Sequence, residues 1–484
     1  MVKKTSIAVA KGDGIGPEIM DAVLYVLKES GVELDIHEVE IGEKVYLSGQ
    51  KAGIAPETWE VIRNTRAFLK APITTPQGGG FKSLNVTVRT TLGLYANVRP
   101  CVAYAPFVDT KHPGMDVVVI RENEEDLYTG IEYRQSENTY QALKIISRPG
   151  CEKIVRYAFE YARVNKRKKV TCFTKDNILK LSDGLFHKVF DEIAEEYPDI
   201  ENEHWIIDIG AAKLADTPDA FDVVVMPNLY GDILSDIAAQ IAGSVGLAGS
   251  ANIGANGAMF EAIHGSAPRR AGQNLANPSG LLLASVLMLV HIGKPEAATL
   301  VHNAWLKTIE DGIHTYDIYK KDISKEKVGT KEFGEAVAKR LGQQPVQLKS
   351  VSYSGTPDNI HTDHQSKSAG DGNKETVGVD IFVDTSEEVE SLHKRLTSIG
   401  YDEMQLTMIA NRGVKVWPGS MPETALGDSF RCRFMNQDKG KPVAKQQIVQ
   451  LLQALADADI DFIQTEHLCT FEGQPGYTLS QDEQ

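Results

Sequence analysis

Through the first ~340 residues, apolar stretches of strand length alternate with amphipathic stretches of helical length, the pattern of an α/β sheet protein. Ser6–Ala10 reads as a strand and Pro17–Lys28 as the helix after it. Val117-Val118-Val119-Ile120 and Val223-Val224-Val225-Met226 are β-branched runs of the kind buried on both faces of a sheet. Each is followed at once by polar residues, Arg121-Glu122-Asn123 and Asn228-Leu229-Tyr230-Gly231-Asp232. Ligands of open α/β sheets sit beyond the carboxyl ends of strands, so these are the first places to look for a site.

From Gly355 to Glu375 apolar residues almost vanish and Gly, Ser, Asp, Asn and Lys dominate, the composition of a linker. Beyond it the pattern restarts. Val379, Ile381 and Val383 alternate as a strand, and Thr385 with Glu388 suggests a capping box. Val389, Leu392, Leu396 and Ile399 then share a helical face. Asn411-Arg412-Gly413 reads as a hairpin turn, and Phe430, Cys432 and Phe434 alternate with Arg431 and Arg433. A helix around Ile448–Leu455 leads to a last strand. The order β-α-β-β-β-α-β predicts a small α+β module, ferredoxin-like in plan.

Length and charge narrow the picture. The 484 residues suggest about three domains at roughly 150 residues each. A net charge of −15 argues against nucleic-acid or membrane-surface partners, and any anionic substrate needs a local basic cluster. The five cysteines are scattered without a C-x-x-C pair, as in a reduced chain without a disulfide framework or structural zinc. The strand-like run entered by Ser6 leaves no room for a signal or transit peptide, and the apolar run Gly280–Val290 is too short to span a bilayer. A cytoplasmic location is expected.

Gly12-Asp13-Gly14-Ile15-Gly16-Pro17 invites a Rossmann reading, but the fingerprint needs glycine where Pro17 stands. Proline there suits a helix start, so a tight strand-to-helix turn competes with a dinucleotide site. Lys70–Arg99 is more specific. Ser83, Asn85, Arg89 and Arg99 gather donors in a short stretch, and Arg121 follows the next strand. Converging guanidinium forks suit a substrate with several carboxylates; surface ion pairing is the alternative for each arginine taken singly. Asp232 and Asp236 are four apart, on one helical face, where like charges call for a divalent cation. Asp208 is a third oxygen donor, and hard ligands favour Mg²⁺ or Mn²⁺. Acids placed to suit a helix N-terminus are the competing explanation.

Seven blocks, SLNVTVR, YANVRP, RENEEDLYTGIEY, TKDNILK, NLYGDILSD, SANIG and FEAIHGSAP, together resemble the β-decarboxylating dehydrogenases that act on isocitrate, isopropylmalate, homoisocitrate or tartrate. The resemblance covers residues 1–342, and the tail after Thr376 resembles an extension found in some bacterial isocitrate-type members. It implies a mixed α/β sheet that is not a Rossmann fold, with a large domain (about 1–100 and 245–342) and a small dimerising domain (about 101–244). A hairpin at 131–147, a linker at 343–375 and a module at 376–484 complete the expected plan.

The same resemblance implies roles. Arg89, Arg99 and Arg121 hold substrate carboxylates; Ser83 and Asn85 follow the isocitrate pattern and bind the remaining one. Tyr128 matches the acid that reprotonates the enol carbon, and Lys175 the lysine that helps remove the hydroxyl proton. Asp208, Asp232 and Asp236 match the metal ligands. Lys175 and Asp208 then serve the partner's site, which implies a homodimer with shared sites. Thr74 is placed near the nicotinamide, and His264, Gly265, Ser266, Ala267, Pro268 and Asn277 around adenosine. Arg269, Arg270, Tyr316 and Lys320 stand where relatives bind a 2′-phosphate, so NADP is the expected cofactor. A sister dehydrogenase would carry apolar or acidic groups at Ser83 and Asn85. A silent regulatory subunit would have lost Tyr128, Lys175 or an aspartate, and a mere anion-binding protein would not need the acids.

Overall fold

The computed structural model describes residues 4–75, 83–354, 372–399, 403–419, 421–438 and 441–479, and the chain divides into two compact units. The first comprises residues 1–129 and 145–364; the second comprises 130–144 and 365–484.

In chain order the strands are β1 (Thr5–Ala10), β2 (Leu34–Glu38), β3 (Ala67–Lys70), β4 (Ala96–Val102) and β5 (Asp116–Glu122), then the hairpin β6 (Glu132–Arg134) and β7 (Tyr140–Ala142). There follow β8 (Lys169–Thr174), β9 (Glu201–Ile206), β10 (Val223–Met226), β11 (Gly249–Gly254) and β12 (Gly257–Ala262). Without the hairpin they form one ten-stranded sheet, ordered β2-β1-β3-β12-β11-β4-β5-β10-β8-β9. Two parallel wings meet at an antiparallel centre, where β11 pairs with β12 and β4, and β4 with β5. This mixed sheet is the expected non-Rossmann architecture.

The Val-rich runs lie at its heart as β5 and β10, in parallel register. Val118, Ile120, Val223 and Val225 enter one apolar cluster, while Val117, Val119, Val224 and Met226 enter another on the opposite face. A strand with both faces covered needs no polar alternation. Each such side chain stabilises the fold by about 1.5–3 kcal/mol relative to exposure. The apolar run near Gly280 is a 13-residue helix, Ser279–His291, buried in the same core. Among the described residues no helix is long and apolar enough to cross a membrane.

Gly12 and Gly14 both have positive φ in the turn before the helix Gly16–Glu29. A Cβ on Gly14 would stand 2.0 Å from the Ser266 carbonyl oxygen, so only glycine lets these two loops touch. The glycine-rich start thus forms a tight strand-to-helix turn packed against the loop that carries Ser266.

A short pair, β13 (Ile313–His314) with β14 (Glu326–Lys327), precedes the last helix of the first unit, Thr330–Ala338. Residues 346–353 then stay attached to the helix Pro295–Glu310. Glu310 accepts the N–H groups of Val346, Gln347 and Leu348, Asn303 accepts that of Val351, and Thr299 that of Tyr353. The chain thus stays with this unit past 343, where the resemblance ends, up to about the Gly355 start that composition gave the linker. Most of the Gly355–Glu375 linker lies outside the described residues.

In the second unit, β15 (Lys374–Asp384), β16 (Met404–Asn411), β17 (Val414–Trp417), β18 (Ser429–Asn436), β19 (Phe462–Phe471) and β20 (Gln474–Pro475) form an antiparallel sheet ordered β17-β16-β18-β15-β19-β20. The helices Val389–Thr397 and Lys445–Asp457 bury Leu392, Leu396, Ile448, Leu451 and Leu455 against Val379, Ile381, Val383, Phe430, Cys432 and Phe434. The expected order β-α-β-β-β-α-β stands, the Asn411-Arg412-Gly413 hairpin joining β16 to β17, with β20 added at the end.

One local expectation is corrected. Thr385 makes no capping box: its hydroxyl accepts the Glu387 N–H, and the helix starts only after Glu388. Arg433 is buried, bidentate to Asp380, and lies beneath the Tyr477 ring. The β6–β7 hairpin completes this unit. Asp428 accepts the hydroxyls of Ser136 and Thr139 and both the backbone and side-chain N–H groups of Asn138.

Candidate functional site

Three arginines from three elements meet over one helix. Arg89 lies on the helix Leu84–Thr91, Arg99 on β4 and Arg121 at the end of β5; all three are buried. The helix Asn228–Ala242, which follows β10, turns Asp232 and Asp236 toward them. Gly231 permits the approach, because a Cβ there would be 2.6 Å from Arg121 Cγ.

Arg121 Nε and Nη2 donate to Asn228, and Nη1 donates to Asp232 in a short contact. Arg99 reaches Asp232 at 3.3 Å, Asp236 at 3.2 Å and Ser235 Oγ at 2.6 Å. The Tyr128 hydroxyl donates to the other Asp232 oxygen, also in a short contact, and its ring lies 4.7 Å from the Arg121 guanidinium. Arg89 binds Glu261 at 3.0 Å.

These contacts set the titration. Burial opposes ionisation of Asp232, but Arg121 and Arg99 outweigh it and hold the carboxyl below its ordinary range. Burial wins at Asp236, whose pKa rises despite Arg99. Burial, then the hydrogen bond to Asp232, raises the Tyr128 phenol. Arg121 is pushed down to about 9 by burial and by Arg89 and Arg99, and stays charged at neutral pH.

Ser83 precedes the Arg89 helix and is exposed. Asn85 Oδ1 is buried without a partner, and so is Arg89 Nε. Two orphaned polar atoms on one helix are what a ligand-binding surface leaves when the ligand is not counted.

Lys175 and Asp208 sit elsewhere. They pair with each other at 2.6 Å, Asp208 being exposed. Among the described residues Asp208 does not converge with Asp232 and Asp236 into a three-carboxylate group.

Around the expected cofactor loop, Thr74 Oγ1 and Ser266 Oγ lie 2.7 Å apart, and Thr74 N–H donates to Asp13. His264 follows β12, its Nδ1 3.1 Å from the Gly265 carbonyl, and burial lowers its pKa. Gly265 is exposed, and Ala267 takes a left-handed conformation before the one-turn helix Pro268–Arg270. Arg269 and Arg270 are exposed there, with Arg270 4.8 Å from the Tyr316 ring. Asn277 is buried and donates to Asp317. Lys320 pairs with Asp109 at 3.0 Å and, with Asp317, lines a cleft of about 490 Å³.

Sequence reasoning assigned nothing to Lys70, Asn97, Asn252 and Glu261, which hold Arg89 and Arg99 together. Arg99 Nε donates to Asn97, Asn97 to Asn252, and Asn252 to Glu261, which also binds Arg89 and the buried Lys70. This buried relay joins two arginines 10 positions apart in sequence through three strands. Burial opposes ionisation of Glu261, yet Lys70 and Arg89 hold it far below the usual carboxylate range. The available signal was an acid or amide inside an otherwise apolar strand: Asn97 in YANVRP, Asn252 in SANIG, Glu261 in FEAIHG.

Known proteins agree with this geometry. Residues 6–337 match the isocitrate/isopropylmalate dehydrogenase family, and residues 374–483 match the bacterial isocitrate dehydrogenase C-terminal domain. The chain is 55% identical to an isocitrate dehydrogenase [NADP] of Rickettsia bellii, over the whole of both chains. The crystal structure of a Thermus thermophilus protein, TT0538, superposes with a TM-score of 0.92 at 41% identity, covering 99% of this chain and 97% of that one. Isocitrate dehydrogenase from Methylococcus capsulatus gives 0.67 at 42% identity, covering 70% of this chain and 99% of that one. On the sequence, the mixed sheet and the match over both regions, the chain belongs to the isocitrate/isopropylmalate dehydrogenase family.

Proposed function

We propose that this chain oxidises and decarboxylates isocitrate to 2-oxoglutarate and CO₂ with reduction of NADP, as a homodimer that uses Mg²⁺ or Mn²⁺. The observation that carries the reading is the convergence of Arg99 and Arg121 on Asp232, Asp236 and Tyr128, with Arg89, held by Glu261, close enough for its charge to act on Asp232. Charge supports it. Lys70 and the three arginines face three carboxylates, Asp232, Asp236 and Glu261, leaving one net positive charge. A tricarboxylate with a divalent cation adds one net negative charge, and the cluster becomes neutral. The trianion alone would overshoot by two in a buried setting, which is costly.

Asp232 and Asp236, with Asp208 of the partner subunit, would hold the cation; when bound it polarises the substrate hydroxyl and stabilises charge left by the departing carboxylate. Arg89, Arg99 and Arg121 clamp carboxylates, and Asn85 with Ser83 favours isocitrate over relatives whose third substituent is apolar. Lys175 Nζ of the partner subunit helps take the hydroxyl proton. Tyr128, whose raised pKa keeps its proton, returns one to the carbon that loses CO₂.

For NADP, the Thr74–Ser266 contact and Asn277 border the cofactor, and it supplies the hydride acceptor when bound. Arg269 and the Tyr316-stacked Arg270 suit a 2′-phosphate, with Lys320, four residues after Tyr316, to complete its site. Five exposed aliphatic residues, Ile178, Leu181, Ile209, Ile233 and Ile237, lie near Lys175, Asp208 and Asp232 in the chain and support a partner-covered face.

The deciding experiment is spectrophotometric: isocitrate, isopropylmalate and tartrate, each with NADP and NAD, with Mg²⁺ present. Isocitrate with NADP should give the highest kcat/KM. Preference for another hydroxy acid, or for NAD, would overturn the corresponding half of the reading.

A further inference from the structure

Behind the turn that carries Lys175 is a second cluster with no part in the chemistry above. Asp176 lies in the turn after β8, His187 on the helix Ser182–Ala194, and His204 on β9. One donor atom from each lies within 4.8 Å of the others, the only such trio of histidines, cysteines or acids among the described residues. We propose that Asp176, His187 and His204 form a binding site for a transition-metal ion, Zn²⁺ by donor chemistry, distinct from the carboxylate site of the reaction.

Three observations point there. Two imidazoles and one carboxylate form a borderline donor set, which selects Zn²⁺ over Mg²⁺. The two rings stack with centroids 3.5 Å apart and planes 17° apart. Two imidazolium rings would repel in that arrangement, so a stack this close disfavours charging both at once, whereas a cation held between their nitrogens suits it. His187 Nδ1 and Asp176 Oδ2 are 2.6 Å apart. Tetrahedral ligation needs about 3.3 Å between donors at ~2.0 Å bonds, so this pair must open by roughly 0.7 Å, and His204 settle to the same spacing, to admit an ion.

The surroundings also supply the outer contacts that metal-bound histidines use. Asp191 Oδ2 lies 3.6 Å from His187 Nε2, and Thr174 Oγ1 lies 2.8 Å from His204 Nε2. All three side chains are partly exposed, which leaves a path for entry. A simple Asp–His hydrogen bond beside a ring stack is the competing account, and it predicts no metal affinity.

An ion here would tie one turn, one helix and one strand together. Asp176 is next in the chain to Lys175, whose N–H is already fixed by Asp183. The site therefore controls the stiffness of the segment that presents Lys175 to Asp208.

The test uses the full chain with Asp232→Asn, which weakens the carboxylate site. Co²⁺ is titrated and followed by visible absorption, because tetrahedral Co²⁺ absorbs far more strongly than octahedral Co²⁺. One equivalent per chain should give intense bands, and Zn²⁺ should displace it. Adding His187→Gln should weaken binding at least tenfold, as should Asp176→Asn if the histidine variant does not fold. In otherwise wild-type chain, Zn²⁺ should raise the unfolding midpoint, and His187→Gln should abolish that rise. Absence of intense bands, or bands unaffected by both variants, overturns the site whatever the substrate of the enzyme proves to be.

Discussion

Asp232 is the acceptor shared by two guanidinium groups and a phenol, and its replacement separates chemistry from folding. Asp232→Asn keeps the shape and some hydrogen bonding but removes the charge that two buried arginines face. Turnover should fall roughly 10²–10³-fold, the scale of losing a divalent cation's stabilisation of developing charge. A chelator should silence the wild type similarly; activity untouched by EDTA would refute the metal. Tyr128→Phe should impair decarboxylation and reprotonation more than reduction of added oxalosuccinate, and equal losses in both would remove the acid role. A different titration governs stability. His302 is partly buried on the helix Pro295–Glu310 beside Tyr353, and desolvation of its ring lowers its pKa to about 4. The folded value lies below the unfolded ~6.5. Its contribution is therefore full above pH 6.5 and is lost as pH falls from 6.5 through 4, by about 3 kcal/mol. Denaturant melts over that window should show a shallower pH slope for His302→Gln than for wild type. At this scale the arginines and aspartates were legible, because their types and spacing imply convergent charge. Lys70, Asn97, Asn252 and Glu261 were not, because their partners are set by strand order across the sheet centre.

At the scale of elements, β5 and β10 could be read because burial on both faces leaves a continuous β-branched run, and their ends marked the site. Boundaries set by local hydrogen bonding were less legible: Thr385 turned to Glu387 and so could not cap the next helix. The helix Asn228–Ala242 serves two faces. One presents Asp232 and Asp236, while Ile233 and Ile237 remain half exposed, 51% and 40%. Exposed isoleucines one helical turn apart suit a partner helix. Ile233→Asp with Ile237→Asp should convert a dimer to monomer in sedimentation analysis. Activity should fall with it, although the arginine cluster lies within one chain. A monomeric wild type would overturn the shared site. The loop after β12 carries its own test. Arg269→Asp with Arg270→Ile removes two charge-assisted contacts of roughly 1.5–3 kcal/mol each, or about 10²–10⁴-fold in NADP use. NAD use should be spared; an equal loss with both cofactors would mean that these arginines do not read the 2′-phosphate.

At the scale of the whole molecule, the second unit is built from two stretches of chain, and this was the least legible feature. Ser136 and Asp428 are separated by 292 positions, and no local pattern announces their hydrogen bond. The hairpin 131–147 and the module after Thr376 each stood out in the sequence, but as unrelated pieces. Asp428 joins them by accepting from Ser136, Asn138 and Thr139, while Gln135 donates to Gln464 on β19. These bonds hold the Asp428 carboxyl down at about 2, below the ordinary ~3.9. Their contribution is present above pH ~4 and is lost as pH falls through about 2. The consequence concerns cleavage. Composition makes Gly355–Glu375 the preferred site for limited proteolysis. Once nicked there, the tail has no covalent tie to the catalytic chain, but the hairpin, which belongs to that chain, still carries its contacts to the module. The fragments should co-elute on size exclusion at neutral pH. Asp428→Ala removes the common acceptor, and the nicked fragments should then separate more readily, with faster amide exchange at residues 136–139 and unchanged exchange in β5 and β10. If the wild-type tail departs as soon as it is cut, the hairpin contacts do not hold the unit together and the linker alone retains the module.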